Sequence, residues 1–151
     1  MNDRHAAVKV RRATHSDAAA MASLLAQLGY PSPADVIPER IEAIEREGGV
    51  AFVACSSDGR ILGLASGARH ATLHAGAQVA YITALVTSDD ARGQGVGRAM
   101  VATIEQWARG CGCTRLSVTS AEHRADAHAF YPRCGLPYNG RRFSKQLDAA
   151  P

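Results

Sequence analysis

The sequence predicts one mixed α/β domain in the order β-α-α-β-β-β-α-β-α-β, antiparallel in its first half and with a parallel crossover in its second. Three observations predict it. Two amphipathic helices precede the first strongly apolar strand, an antiparallel hairpin follows them, and a glycine-rich turn joins a long apolar strand to a further amphipathic helix. The 151 residues, 46% hydrophobic and 21% charged, have the size and composition of a single domain spanning 1–151.

Val8 to Ala13 alternates apolar and polar residues as a short strand does, and Thr14 to Asp17 supplies a capping-box pattern that starts a helix. Met21, Leu24, Leu25 and Leu28 recur at helical spacing until Gly29-Tyr30-Pro31 stops them. Ser32 to Asp35 repeats the start signal, with proline at the first helical position, and Ile37, Ile41 and Ile44 carry a second apolar stripe to Gly48-Gly49.

Val50–Cys55, a turn at Ser57-Asp58-Gly59, and Ile61–Ser66 form the hairpin, with the second strand extending toward Leu73. Ala77–Thr87 is rich in β-branched residues and reads as a central strand. Arg98 to Arg109 is an amphipathic helix closed by Gly110 and Gly112, and its crossover makes the strand Leu116–Thr119 a parallel neighbour of the central one. A short helix from His123 to Tyr131, ended by Pro132 and Gly135, and a closing strand Arg141–Leu147 complete the order.

Charge and cysteine usage exclude several classes. A net charge of +3 is too small for nucleic-acid wrapping, although residues 101–151 hold seven of the basic side chains against four acids, which favours an anionic ligand there. No apolar run approaches the roughly 18 residues of a membrane span, and Met1 to His5 lacks a signal-peptide layout, so a cytoplasmic protein that meets neither membrane nor nucleic acid is expected. Cys55, Cys111, Cys113 and Cys134 lack zinc-site spacing and are read as reduced thiols.

The stretch Arg92-Gly93-Gln94-Gly95-Val96-Gly97 carries the chemistry. Alternating glycines let the backbone turn sharply and clear side chains away from the amides. Unpaired amides at a helix start, with the positive end of the dipole behind them, suit phosphate oxygens, and Arg92 and Arg98 add charge on either side. A dinucleotide fingerprint fails because Arg98 and Met100 stand where its last glycine belongs, and no Gly-Lys-Ser/Thr follows to make a nucleotide-hydrolysing loop.

The spacing Arg92-x-x-Gly95-x-Gly97 resembles the pyrophosphate signature of the GCN5-related N-acetyltransferases (GNAT). The resemblance extends from Arg12–Asp17 through Ile82–Val86 to Ala127–Leu136, with Phe130-Tyr131 and Gly135 in register. It implies the GNAT acyl-CoA N-acyltransferase fold and transfer of an acetyl group from acetyl-CoA to an amine by direct attack on the thioester. It also implies that Leu85, Val86 and Thr87 offer backbone groups to pantetheine as an added strand would, and that Gly93, Gln94, Gly95, Val96, Gly97 and Arg98, flanked by Arg92, hold the pyrophosphate. A backbone amide near Leu85 then polarises the carbonyl. Tyr131 matches the family's tyrosine that protonates the departing thiolate; a phenol of pKa ~10 stays protonated beside a thiol of ~8.5.

The base departs from the family pattern. Thr83 stands where many members carry glutamate, and a threonine accepts no proton at neutral pH. A water chain, His70 or His74 near the end of the third strand, Glu122, and His128 beside Tyr131 are the candidates, histidine alone having an unshifted pKa in the useful range. Arg124 replaces the usual asparagine at a pantetheine contact.

The acceptor site implied by the family comprises Tyr30 and the Leu28–Asp35 loop with the ends of the fourth and fifth strands, including His70, Thr83 and Ser120. Thr119–Tyr131 with Arg142 and Lys145 resembles the aminoalkylphosphonate N-acetyltransferase branch, in which Arg124, Arg142 and the His70/His74 pair suit an anionic amine, with or without a divalent metal. A small-molecule primary amine is the expected acceptor and a homodimer the expected assembly. The rivals are acetylation of a protein N-terminus or lysine, and an acetyl-CoA-binding module without turnover.

Overall fold

The computed structural model describes residues 7–119 and 125–148. The chain divides into two compact units, one ending at Val118 and one beginning at Thr119.

The first unit is a five-stranded sheet in the order β1-β2-β3-β4-β5, comprising β1 (Lys9–Arg12), β2 (Val50–Cys55), β3 (Ile61–His70), β4 (Val79–Thr87) and β5 (Leu116–Val118). β1 to β4 are antiparallel and β4–β5 is parallel, as the crossover through one helix requires. Helices α1 (Ala18–Leu28) and α2 (Ile37–Arg46) cover one face, and α3 (Val96–Gly110) covers the other. Met21, Leu24, Ile37 and Ile41 pack with Ala51, Val53, Leu64 and Val86 under the first two helices. On the opposite face Met100 and Ile104 of α3 are completely buried.

Two glycines of β3 set how closely α3 lies on the sheet. A Cβ at Gly63 would stand 2.9 Å from Met100 Cε, and one at Gly67 2.9 Å from the Trp107 ring. Both distances are shorter than side chains tolerate, so the helix seats on bare backbone.

Helix ends follow the sequence signals. Gly29 closes α1 at φ 101°, a conformation that favours glycine. α2 starts later than its proline signal predicts: Pro33 precedes a 3₁₀ turn, Ala34–Val36, and Pro38 occupies the first turn of the helix. α3 starts two residues before the expected Arg98, at Val96.

Asp17 fixes the entry to α1. Arg11 forks onto both carboxylate oxygens at 2.8 and 2.9 Å, and the Thr14 N–H donates to Oδ2 at 2.8 Å. The Arg11 guanidinium is the main reason that the buried Asp17 carboxyl titrates below the ordinary carboxylate range. Because its folded pKa lies below its unfolded one, the stabilisation is complete above the unfolded value of about 4 and is lost progressively as the pH falls from there through the lower folded value. Asp17→Asn is therefore expected to lower stability at pH 7 by about 2 kcal/mol, with the gap to wild type closing below about pH 4, as urea midpoints at pH 7 and pH 3 would register.

The second unit contains α4 (Ala125–Arg133), which carries Pro132 in its last turn and ends where Gly135 takes φ 88°. The Leu136 N–H returns to the Tyr131 carbonyl at 3.0 Å. The expected closing strand is corrected: 141–147 forms no strand. On the face that Phe143 and Leu147 would share stand Arg141 and Lys145 as well, and the other face holds no apolar residue, so neither face can be buried. Both side chains are exposed.

Candidate active site

The site begins with a change of phase in β4. Its register with β3 pairs Gly67 with Ile82 and Ser66 with Ala84, which leaves Thr83 as the extra residue of a β-bulge. Upstream of the bulge, the Ala80 N–H donates across to β5, to the Arg115 carbonyl, at 2.8 Å. Downstream, the Ser88 N–H donates the opposite way, to the Leu62 carbonyl of β3, at 2.8 Å. Residues of equal parity point to the same side of a regular strand, so the bulge has reversed the phase. Ala84 and Val86 consequently bond toward β3, and Leu85 and Thr87 direct their N–H and C=O groups to the opposite edge.

That edge opens at the same place. Pairing with β5 ends at Ile82–Val118, and among the described residues of this unit no strand pairs with β4 beyond it. Leu85 and Thr87 therefore reach the opening with main-chain groups. Val86 turns its backbone to β3 and buries its side chain in the core.

β4 then leads through a 3₁₀ turn, Asp89–Ala91, into the glycine stretch. Gly93 and Gly95 have φ of 78° and 80°, a conformation costly for any residue with a Cβ, and Gly95 is the N-cap of α3. The first helical hydrogen bond joins the Ala99 N–H to the Gly95 carbonyl, so the N–H groups of Val96, Gly97 and Arg98 precede any intrahelical acceptor. Val96 contributes backbone alone, its side chain being buried against Gly63.

Side chains around this turn hold it in shape. Arg92 pairs with Asp89 at 3.2 Å, and Arg60 with Asp90 at 2.5 Å. The Ser88 hydroxyl, followed by Arg60, holds the Asp90 carboxyl below its ordinary range. The Gln94 amide folds back on the Asp90 carbonyl at 3.4 Å. Gln27 in the last turn of α1 accepts the Asp89 N–H at 3.1 Å, which brings the Tyr30 loop and the glycine turn to the same end of the sheet. Tyr30 itself is exposed.

The bulge also gathers a polar row on the α1–α2 face. Thr83 Oγ1 and Ser66 Oγ lie 2.6 Å apart. Tyr81 and His70 follow on that face, with ring centroids 5.5 Å apart. His70 pairs with Val79 and Leu85 with Ala65, five positions further along β3, so His70 lies about 17 Å from Leu85 along the strand. His74 is exposed in the segment that follows β3. Within the second unit, His128 lies one turn before Tyr131 on α4, and the rings of Phe130 and Tyr131 meet edge to face at 5.3 Å. Ser120, Glu122 and Arg124 lie outside the described residues. Ser66, Tyr81 and Gln27 give no sequence signal beyond a lone serine in an apolar strand and a tyrosine in another.

Among the described residues no cluster of His, Cys, Asp or Glu could hold a metal ion, and no helix is long and apolar enough to cross a membrane. All four cysteines are free.

A strand edge that opens beside main-chain donors and leads into a glycine-lined helix start is the architecture of a coenzyme A-dependent acyltransferase. The model of the acetyltransferase (GNAT) family matches residues 18–136. The chain belongs to the GNAT family and is an acetyl-CoA-dependent N-acetyltransferase. It is 32% identical over 130 residues to an aminoglycoside N(6')-acetyltransferase type 1 of Stenotrophomonas maltophilia, with 84% of each chain covered. An acetyltransferase of Trypanosoma brucei superposes with a TM-score of 0.81 at 26% identity, over 93% of this chain and all of that one. AAC(6')-Iy in complex with the bisubstrate analog CoA-S-monomethyl-acetylneamine shares the fold, with a TM-score of 0.81 at 18% identity over 95% and 99% of the two chains.

Proposed function

We propose that this enzyme transfers the acetyl group of acetyl-CoA to a primary amine of a small molecule, by direct attack within a ternary complex. The observation that carries the reading is the reversed phase of β4, which supplies main-chain donors at Leu85 and Thr87 on the edge leading into the Gly93–Gly97 turn. Bound acetyl-CoA supplies an electrophilic thioester carbon and a thiolate leaving group. The amides of Gly93 to Arg98 hold the diphosphate, with Arg92 exchanging Asp89 for a phosphate oxygen. The Leu85 N–H stabilises negative charge on the carbonyl oxygen. The N–C bond forms as the C–S bond breaks, Tyr131 protonates the departing sulfur, and the amine gives its proton to water, His74 or His128.

A small-molecule amine is favoured over a protein because the 32% identical relative is named for an aminoglycoside. The same reading includes a homodimer, from family habit, and a cytoplasmic setting.

Thiol release is expected with neamine and at most weakly with aminomethylphosphonate or a lysine peptide. The reverse order would redirect the substrate class, and no release with any amine would leave a binding module. Tyr131→Phe is expected to lower kcat about 100-fold with little change in the Kd of CoA, and unchanged turnover would remove Tyr131 from the mechanism. A pH–rate profile for His74→Ala and His128→Ala that keeps its acidic limb in both would assign the proton to solvent.

A further inference from the structure

Only two buried residues among those described are polar or charged, Asp17 and Ser66. Arg11 accounts for Asp17, but nothing in the packing accounts for Ser66. Ser66 lies between Ala51 of β2 and Ala84 of β4, and neighbouring residues of its face belong to the apolar core. Alanine would fill the space without a hydroxyl to desolvate. Among the described residues, the side-chain hydrogen bond that Ser66 makes is to Thr83.

Thr83 is exposed, and it lies on the face of Ser66 in phase with Tyr81, at the point where the bulge sets it and Ala84 together against Ser66. It stands two residues before Leu85 with the bulge between them, so less than the roughly 7 Å of two regular strand residues separates them. An amine hydrogen-bonded to Thr83 Oγ1 at ~3 Å, with its nitrogen ~3 Å from the carbonyl carbon and the carbonyl oxygen on the Leu85 N–H, spans that separation. Such an amine needs an acceptor for its N–H, so that its lone pair is left for the carbon. Either hydroxyl can donate in this pair, and in both arrangements Thr83 Oγ1 keeps a lone pair for the amine N–H.

We propose that Ser66 is a positioning residue for acetyl transfer: by engaging Thr83 it aims Oγ1 to accept an N–H of the incoming amine. The inference rests on the reading of β4 as the strand along which the thioester lies. Thr83 takes no proton from the amine; it fixes the direction from which the nitrogen approaches.

The test uses the full-length enzyme with neamine, following acceptor-dependent thiol release, acceptor-independent hydrolysis of acetyl-CoA, and the Kd of CoA. Thr83→Val keeps the branched shape and removes the oxygen, and is expected to lower kcat/KM for neamine about 30-fold; Ser66→Ala is expected to lower it about tenfold. The Kd of CoA should stay unchanged in both, and hydrolysis should fall less than transfer. Ser66→Ala with Thr83→Val should be no worse than Thr83→Val alone, because Ser66 acts through that oxygen. Thr83→Ser should restore most of the activity. Wild-type behaviour of Ser66→Ala, losses that multiply in the double variant, or an equal fall in hydrolysis would each overturn the proposal. A wild-type enzyme that transfers acetyl to no amine would instead overturn the parent reading.

Discussion

Replacing Gly95 with valine is expected to raise the Kd for CoA at least about 100-fold while leaving a folded protein. Two effects combine. Gly95 has φ 80°, and a β-branched residue in that conformation costs about 1–2 kcal/mol, which the N-terminus of α3 relieves by unwinding. A Cβ built at this position meets no heavy atom within 4 Å, so the loss is not a packing clash within the chain. The new side chain occupies the space that the amides of Val96, Gly97 and Arg98 face. Those amides are worth most when they converge on an oxyanion without reorganising, and an unwound turn scatters them.

Gly29→Val provides the control. Gly29 has φ 101°, and likewise no heavy atom lies within 4 Å of a built Cβ, but it caps α1 rather than α3. It should lose a similar amount of stability and keep its CoA affinity, with isothermal titration and thermal melts read side by side. If the two variants bind CoA equally, the glycine turn is not the diphosphate site.

Much of the architecture was legible because burial and periodicity agree. Val50–Cys55 is apolar throughout and is buried throughout, and the stripe Met100, Ile104, Ala108 predicts the face that α3 turns to the sheet. The glycine turn was legible because conformational need and chemistry select the same residue. The phase of β4 was not. In its run from Val79 to Val86 only Tyr81 and Thr83 break the apolar pattern and Ala84 to Val86 continue it without alternating, so the sequence does not show which residue is extra, and the bulge follows from pairing with β3, which is remote in sequence. Leu85 and Thr87 thus present their main-chain groups at the opening, and Val86 turns to β3 and the core. Arg141–Leu147 forms no strand for the opposite reason: a strand exists only when its main chain has a partner, and no strand among the described residues pairs with this segment. Ser66 carries no signal in the sequence because a serine in an apolar strand acquires meaning only from the residue across the ladder.

Leu85→Pro against Val86→Pro tests that phase directly, and the two variants are expected to fail in different ways. Proline removes one N–H and fixes φ, so its damage depends on where the lost donor pointed. At position 86 the donor belongs to the β3 ladder and the side chain to the core, and the substitution should cost more than about 3 kcal/mol and leave little folded protein. At position 85 the donor points to the open edge, so the ladder survives, and Tm should fall by only about 4–8 °C. Turnover should nevertheless drop about 100- to 1,000-fold, the usual cost of deleting one donor to a developing oxyanion, while the diphosphate turn keeps the Kd of CoA within about tenfold of wild type. A Leu85→Pro enzyme that turns over normally would show that this amide does not polarise the carbonyl. One that unfolds like Val86→Pro would show that the strand keeps a single phase from Val79 to Thr87, and with it would fall the alignment of Thr83 with the amine.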